Sequence, residues 1–130
     1  MTLLERVQGE AEGPGTAVDG WVDVCSVHDL LLDVGACALV AGAPVAIFRT
    51  WPNGELFAIG NIDPYTSASV ISRGIVGSIG DRAVVASPIM KHRFDLRTGE
   101  SLDDPAVVLP TYAVRVTDDR VLVAASPTTS

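Results

Sequence analysis

Residues 84–99, VVASPIMKHRFDLRTG, decide the fold. The apolar run over residues 83–87 is too short for a helix and has the β-branched character of a strand. SPIMKH follows as a loop, residues 93–96 read as a second strand, and Thr98-Gly99 turns the chain. Strand, loop, strand and tight turn within sixteen residues leave no room for a helix. Upstream, residues 75–76 form another short apolar run, separated from residues 83–87 by the glycine-rich GSIGDR. Gly74, Gly77 and Gly80 are read as turn glycines, because no helix follows them to make a dinucleotide site.

The same pattern extends to both ends. WVDVC, residues 21–25, alternates as a half-buried strand, and Ser26 followed by Asp29 is a helix cap with an acid at its third position, opening one short turn through Leu32. Residues 37–40 and 45–49 are apolar runs split as a hairpin. Asn53-Gly54 marks a tight turn of the two-residue kind before a strand at residues 55–59. NIDPYTSASVIS, residues 61–72, breaks all alternation and is read as a structured loop. Residues 112–116 and 121–124 flank Asp118-Asp119 as an antiparallel pair. About eight to ten short strands and almost no helix predict an all-β sandwich or barrel. One domain over residues 19–125 is expected, with an N-terminal tail at 1–18 and a C-terminal tail at 126–130. Trp21 and Trp51 are expected to act as packing residues or strand-end anchors.

Sixteen acidic against nine basic residues give a net charge of −7, and no Lys/Arg cluster exists to bind phosphate, so nucleic acid and anionic membrane are excluded as partners. With 48% hydrophobic residues the body of the chain is a folded domain. The apolar stretch at residues 30–48 is broken by Asp33, Gly35, Gly42 and Pro44 and reads as a hairpin rather than a membrane span. The N-terminus shows no basic segment followed by an apolar one, so a cytoplasmic location is expected. Cys25 and Cys37 lack C-x-x-C spacing; they are compatible with one disulfide, but in a reducing cytosol two buried thiols are expected. No H-E-x-x-H, phosphate loop or Ser/His/Asp spacing offers a competing chemistry.

The stretch Ser87, Pro88 to Phe94, Asp95, Thr98 and Gly99 resembles the second cluster loop of Rieske domains, Cys-Pro-x-His running on to Phe-Asp and Thr-Gly. NIDPYTSASVISRG resembles the first, Cys-Pro-His followed by Arg-Gly. The resemblance covers about residues 21–124 and implies a Rieske-like antiparallel β-sandwich or barrel whose two loops, 61–72 and 87–92, meet at one end. A [2Fe–2S] centre of this type takes two thiolates and two imidazoles. The matching positions here are Asp63, Tyr65, Ser87 and Met90, which cannot supply that ligand field. His92 falls two positions beyond the histidine slot and is expected to be a partly exposed loop residue.

Asn61-x-Asp63-Pro64, then residues 72–77 (SRGIVG), 84–88 (VVASP) and 94–99 (FDLRTG), are similar to the small subunit of assimilatory NAD(P)H-dependent nitrite reductase. That resemblance implies a non-catalytic subunit with no cofactor of its own. Its partner would be a large subunit carrying FAD, sirohaem and an iron–sulfur cluster and reducing nitrite to ammonium. By the same resemblance the former cluster end, with Arg73, Pro64, Tyr65, Ile89, Met90, Lys91 and His92, is the candidate partner interface. Two other classes stand beside it: a Rieske-type ferredoxin-like electron carrier, and a cofactor-free binding module using Asp63 and Tyr65. Phe94 is expected in the core, Gly99 in a turn, and Asp95 and Thr98 in local hydrogen bonds.

Overall fold

The structure is a computed structural model describing residues 18–128; the expected N-terminal tail lies outside them but for Val18. Among the described residues ten strands form three antiparallel sheets. β1 (Trp21–Ser26), β10 (Arg120–Ala124) and β9 (Val114–Thr117) make one; β2 (Ala36–Val40), β3 (Ala43–Thr50), β4 (Glu55–Gly60) and β8 (Thr111–Tyr112) make the second; β5 (Ile75–Ile79), β6 (Arg82–Ala86) and β7 (Arg93–Asp95) make the third. No helix among the described residues is long and apolar enough to cross a membrane.

The four-stranded sheet is the middle layer. Its Ala46, Phe48, Phe57 and Ile59 pack with Val85, Phe94, Leu96, Ile71 and Leu109 of the third sheet and its loops. On the opposite face Val45, Ile47 and Ala58 pack with Val22, Val121 and Val123 of the first sheet. Cover on both faces explains why Val45, Ala46, Ile47 and Phe48 run apolar without alternation, whereas β10 alternates in burial, Val121 and Val123 pointing into the core and Arg120, Leu122 and Ala124 lying on the other face. Phe48 and Phe94 have no exposed surface, and each such burial contributes about 1.5–3 kcal/mol.

The turns follow their residues. Ala41-Gly42 and Asp118-Asp119 are two-residue hairpin turns with both residues at positive φ, 49° and 87° in the first and 52° and 63° in the second. Ser26 caps a 3-10 turn, Val27–Asp29, with a complete capping box; the turn ends at Leu30, short of Leu32. Thr128 ties the C-terminal end back to β8, its N–H donating to the Thr111 carbonyl at 2.7 Å.

Four expectations are corrected. Asn53-Gly54 is not a two-residue turn: Thr50 pairs with Glu55, so residues 51–54 form a four-residue loop in which only Gly54 has positive φ. Gly77 lies within β5 and Gly74 ends a 3-10 turn, leaving Gly80 as the hairpin turn. Trp51 is 70% exposed and anchors nothing, while Trp21 is half-buried beneath the Arg115 guanidinium, 4.3 Å from its ring. Cys37 is exposed and Cys25 half-buried, both as free thiols; burial, then Asp29, pushes the Cys25 thiol up from its ordinary value.

Candidate functional site

The two irregular loops meet at one end of the molecule. The first is laced shut by Asn61, whose side-chain amide donates to Ser69 Oγ at 2.8 Å and whose Oδ1 accepts from the Ser72 N–H at 2.7 Å. The Asn61 backbone carbonyl also accepts from Val70 and Ile71. Within it Asp63 starts a turn, its carbonyl accepting from Ser67 and its Oδ1 from the Tyr65 N–H at 2.8 Å. The second loop closes when the Ser87 N–H donates to the His92 carbonyl, with Met90 and Lys91 at its tip in left-handed conformations, φ 62° and 61°.

Two contacts join the loops. Ser87 Oγ donates to Asp63 Oδ2 at 2.6 Å, and both residues are buried. A charge-assisted bond of this length offsets the desolvation of the carboxylate, which is otherwise costly in the interior. Beside it the Tyr65 and His92 rings stack with centroids 3.7 Å apart and 12° between planes. Tyr65 also tilts onto Phe94, and its hydroxyl bonds Ser101 Oγ at 2.9 Å. His92 Nδ1 is buried with no hydrogen-bond partner.

Of the ligand slots, Asp63, Ser87 and Tyr65 are brought together, and Met90 points outward, 74% exposed. Of the other interface candidates, Pro64, Arg73, Ile89 and Lys91 are exposed and His92 is half-buried beneath the stack. A Rieske cluster does not fit this donor set: both Asp63 oxygens accept bonds from within the protein, Ser87 is committed to Asp63, and the Tyr65 phenol is held by Ser101. Among the described residues no group of three His, Cys, Asp or Glu side chains converges as a metal site. Cys25 and Cys37 sit on β1 and β2, and neither stands at a position matching a cluster ligand.

The Asp95 turn supports the site from below. Its Oδ1 accepts from the Arg97 and Thr98 N–H groups, and its Oδ2 from Arg82 Nε at 2.8 Å. Burial works against the charged form, but the Arg82 hydrogen bond and those two amides outweigh it and hold the carboxyl below its ordinary value. Phe94 is core and Gly99 a turn residue, as expected. Two participants carried no signal in the sequence: Ser101, which lies 36 residues from Tyr65, and the Asn61 side chain as a clasp.

Fold and site together define a Rieske-type domain in which the side chains at two of the four ligand positions, Asp63 and Ser87, bind each other. The family model described as Rieske-like [2Fe-2S] domain matches residues 20–124. The nitrite reductase (NADH) small subunit of Escherichia coli strain K12 is 41% identical over 98 residues, covering 75% of this chain and 91% of that protein. The NMR structure of the E. coli protein NirD is similar with a TM-score of 0.73 at 40% identity, covering 79% of this chain and 94% of that one. The nitrite reductase [NAD(P)H] large subunit of Klebsiella oxytoca contains a segment 29% identical over 116 residues, covering 89% of this chain and 12% of that protein. This chain belongs to the Rieske-like [2Fe-2S] domain family and, within it, to the nitrite reductase (NADH) small subunits.

Proposed function

We propose that this chain is the cofactor-free, non-catalytic small subunit of a cytoplasmic NAD(P)H-dependent nitrite reductase. It works by docking on the large subunit, which reduces nitrite to ammonium. The observation that carries the reading is the 2.6 Å hydrogen bond from Ser87 to Asp63, which joins the two former cluster loops through protein groups in a chain 41% identical to a nitrite reductase small subunit. The frame is kept while its redox ligands are replaced. In this reading FAD, sirohaem and an iron–sulfur cluster belong to the large subunit. The K. oxytoca relative supports the partnership, because there the matching segment is part of the large-subunit chain itself. An electron-carrier role has no suitable ligand set to rest on.

The docking face in this reading comprises Arg73, Pro64, Tyr65, Ile89, Met90, Lys91 and His92. Exposed Met90 and Ile89 give it adaptable apolar area, the Tyr65–His92 stack gives it a rigid base, and Lys91 and Arg73 put positive charge on an acidic protein. The test is Met90→Ser combined with Lys91→Glu, two exposed positions that leave the Asp63–Ser87 and Tyr65–His92 contacts intact. The variant is expected to keep its melting temperature and to lose about 1–2 kcal/mol of affinity for the purified large subunit. Unchanged affinity would take this end out of the interface.

A further inference from the structure

We infer that the free edge of β5 is a strand-addition site for an extended, basic segment of the large subunit, one of whose side chains enters an acidic pocket beside Trp51. The inference rests on the docking reading above and extends it along the sheet. β5 is the outermost strand of its sheet and pairs only with β6, in unbroken register from Ile75 opposite Ala86 to Ile79 opposite Arg82. Among the described residues no backbone hydrogen bond reaches its outer side. Its sequence, IVGSI, contains none of the charges, prolines or bulges with which edge strands deter pairing. Ile75 is 73% exposed and Ile79 39%. Such an edge supplies a row of main-chain donors and acceptors to an incoming strand.

A cavity of about 320 Å³ lies where that strand's inward side chains would point, between Val76 and Ser78 of β5 and the loop of residues 51–54. Trp51, 70% exposed, forms one wall. Asp33, Glu55 and Asp81 also line the cavity, and no Lys or Arg does. Glu55 is paired with Arg97 at 2.7 Å and Asp33 accepts from the Trp51 N–H, but Asp81 has no ion-pair partner among the described residues. An indole face beside an unpaired carboxylate suits a guanidinium or ammonium group. A second copy of this chain is disfavoured by its net charge of −7, which opposes the approach of two acidic molecules. Residues 1–17 carry three Glu and one Arg and fit no better. The edge also begins at the paired loops, since Ile75 lies two residues after Arg73 and opposite Ala86, the neighbour of Ser87. The β5 edge therefore runs from beside the second loop to the cavity walled by Trp51.

The test uses the full chain and the full-length large subunit, with amide hydrogen exchange followed on the free chain and on the saturated complex. The amides of residues 75–79 that point to the outer side of β5, and so do not donate to β6, are expected to slow by about tenfold or more on binding. Trp51→Ala combined with Asp81→Lys is expected to raise Kd about tenfold or more at unchanged melting temperature. A wild-type chain that binds while β5 exchanges as in the free state, or a double variant of unchanged affinity, overturns this inference and leaves the docking reading standing. A wild-type chain that does not bind the large subunit removes both. Slow exchange of those outward amides already present in the isolated chain assigns the edge to a second copy if dilution abolishes it, or to residues 1–17 if it persists; either result overturns the inference.

Discussion

At Asp63 a fully buried carboxylate accepts from the Ser87 hydroxyl through one oxygen and from the Tyr65 amide through the other. Asp63→Ala leaves the buried Ser87 hydroxyl and the half-buried Tyr65 amide without their acceptor and is expected to cost about 2–4 kcal/mol, read as a shift in the urea midpoint at constant m-value. Asp95 makes a pH prediction. Its folded pKa lies below the unfolded one, so the unfolded chain binds the proton more readily. Its stabilising contribution is thus complete above the ordinary carboxylate value of about 4 and is lost as pH falls through the depressed folded value. Unfolding curves of wild type and Asp95→Asn should differ by a constant amount above about pH 5 and converge at lower pH; a gap that widens on acidification contradicts this assignment. The four altered slots could be read from Asp63, Tyr65, Ser87 and Met90 because each stands inside a local motif. Ser101 could not, because its contact with Tyr65 is made by tertiary packing across 36 residues.

Elements were legible in proportion to how local their determinants are. The Ser26 capping box and the Asp118-Asp119 turn depend on neighbouring residues alone, and both formed where the sequence places them. The Asn53-Gly54 pair is the counter-example: pairing of Thr50 with Glu55 set the loop length, and the dipeptide's turn preference gave way to it. That same loop carried Trp51 out to solvent, against the packing expected of a large ring. The Gly99 turn shows a second constraint that a sequence does not display. Its φ is 80°, and a Cβ there would collide with the Leu109 carbonyl oxygen. Gly99→Ala is therefore expected to destabilise by about 2–4 kcal/mol, more than an open turn glycine would, and thermal unfolding beside Gly80→Ala, whose site is unobstructed, measures the difference.

For the molecule as a whole, three stacked sheets hold two loops together at one end, and side chains rather than metal ligands complete the junction. The all-β class and the paired loops were legible, while the middle position of the β2–β3–β4–β8 sheet was not, since an apolar run such as Val45 to Phe48 reads alike with one face covered or two. In the proposed reading the Rieske frame is kept with other side chains at the ligand slots, and the chain acts through its surface. The most direct test is calorimetric titration of the purified large subunit with this chain, first treated with chelator and then, in parallel, after anaerobic incubation with iron and sulfide. The account predicts saturable binding by the chelated chain, with affinity and enthalpy unchanged by the iron and sulfide treatment. Binding that arises only after that treatment would show that the chain docks as a cluster protein and contradict the account.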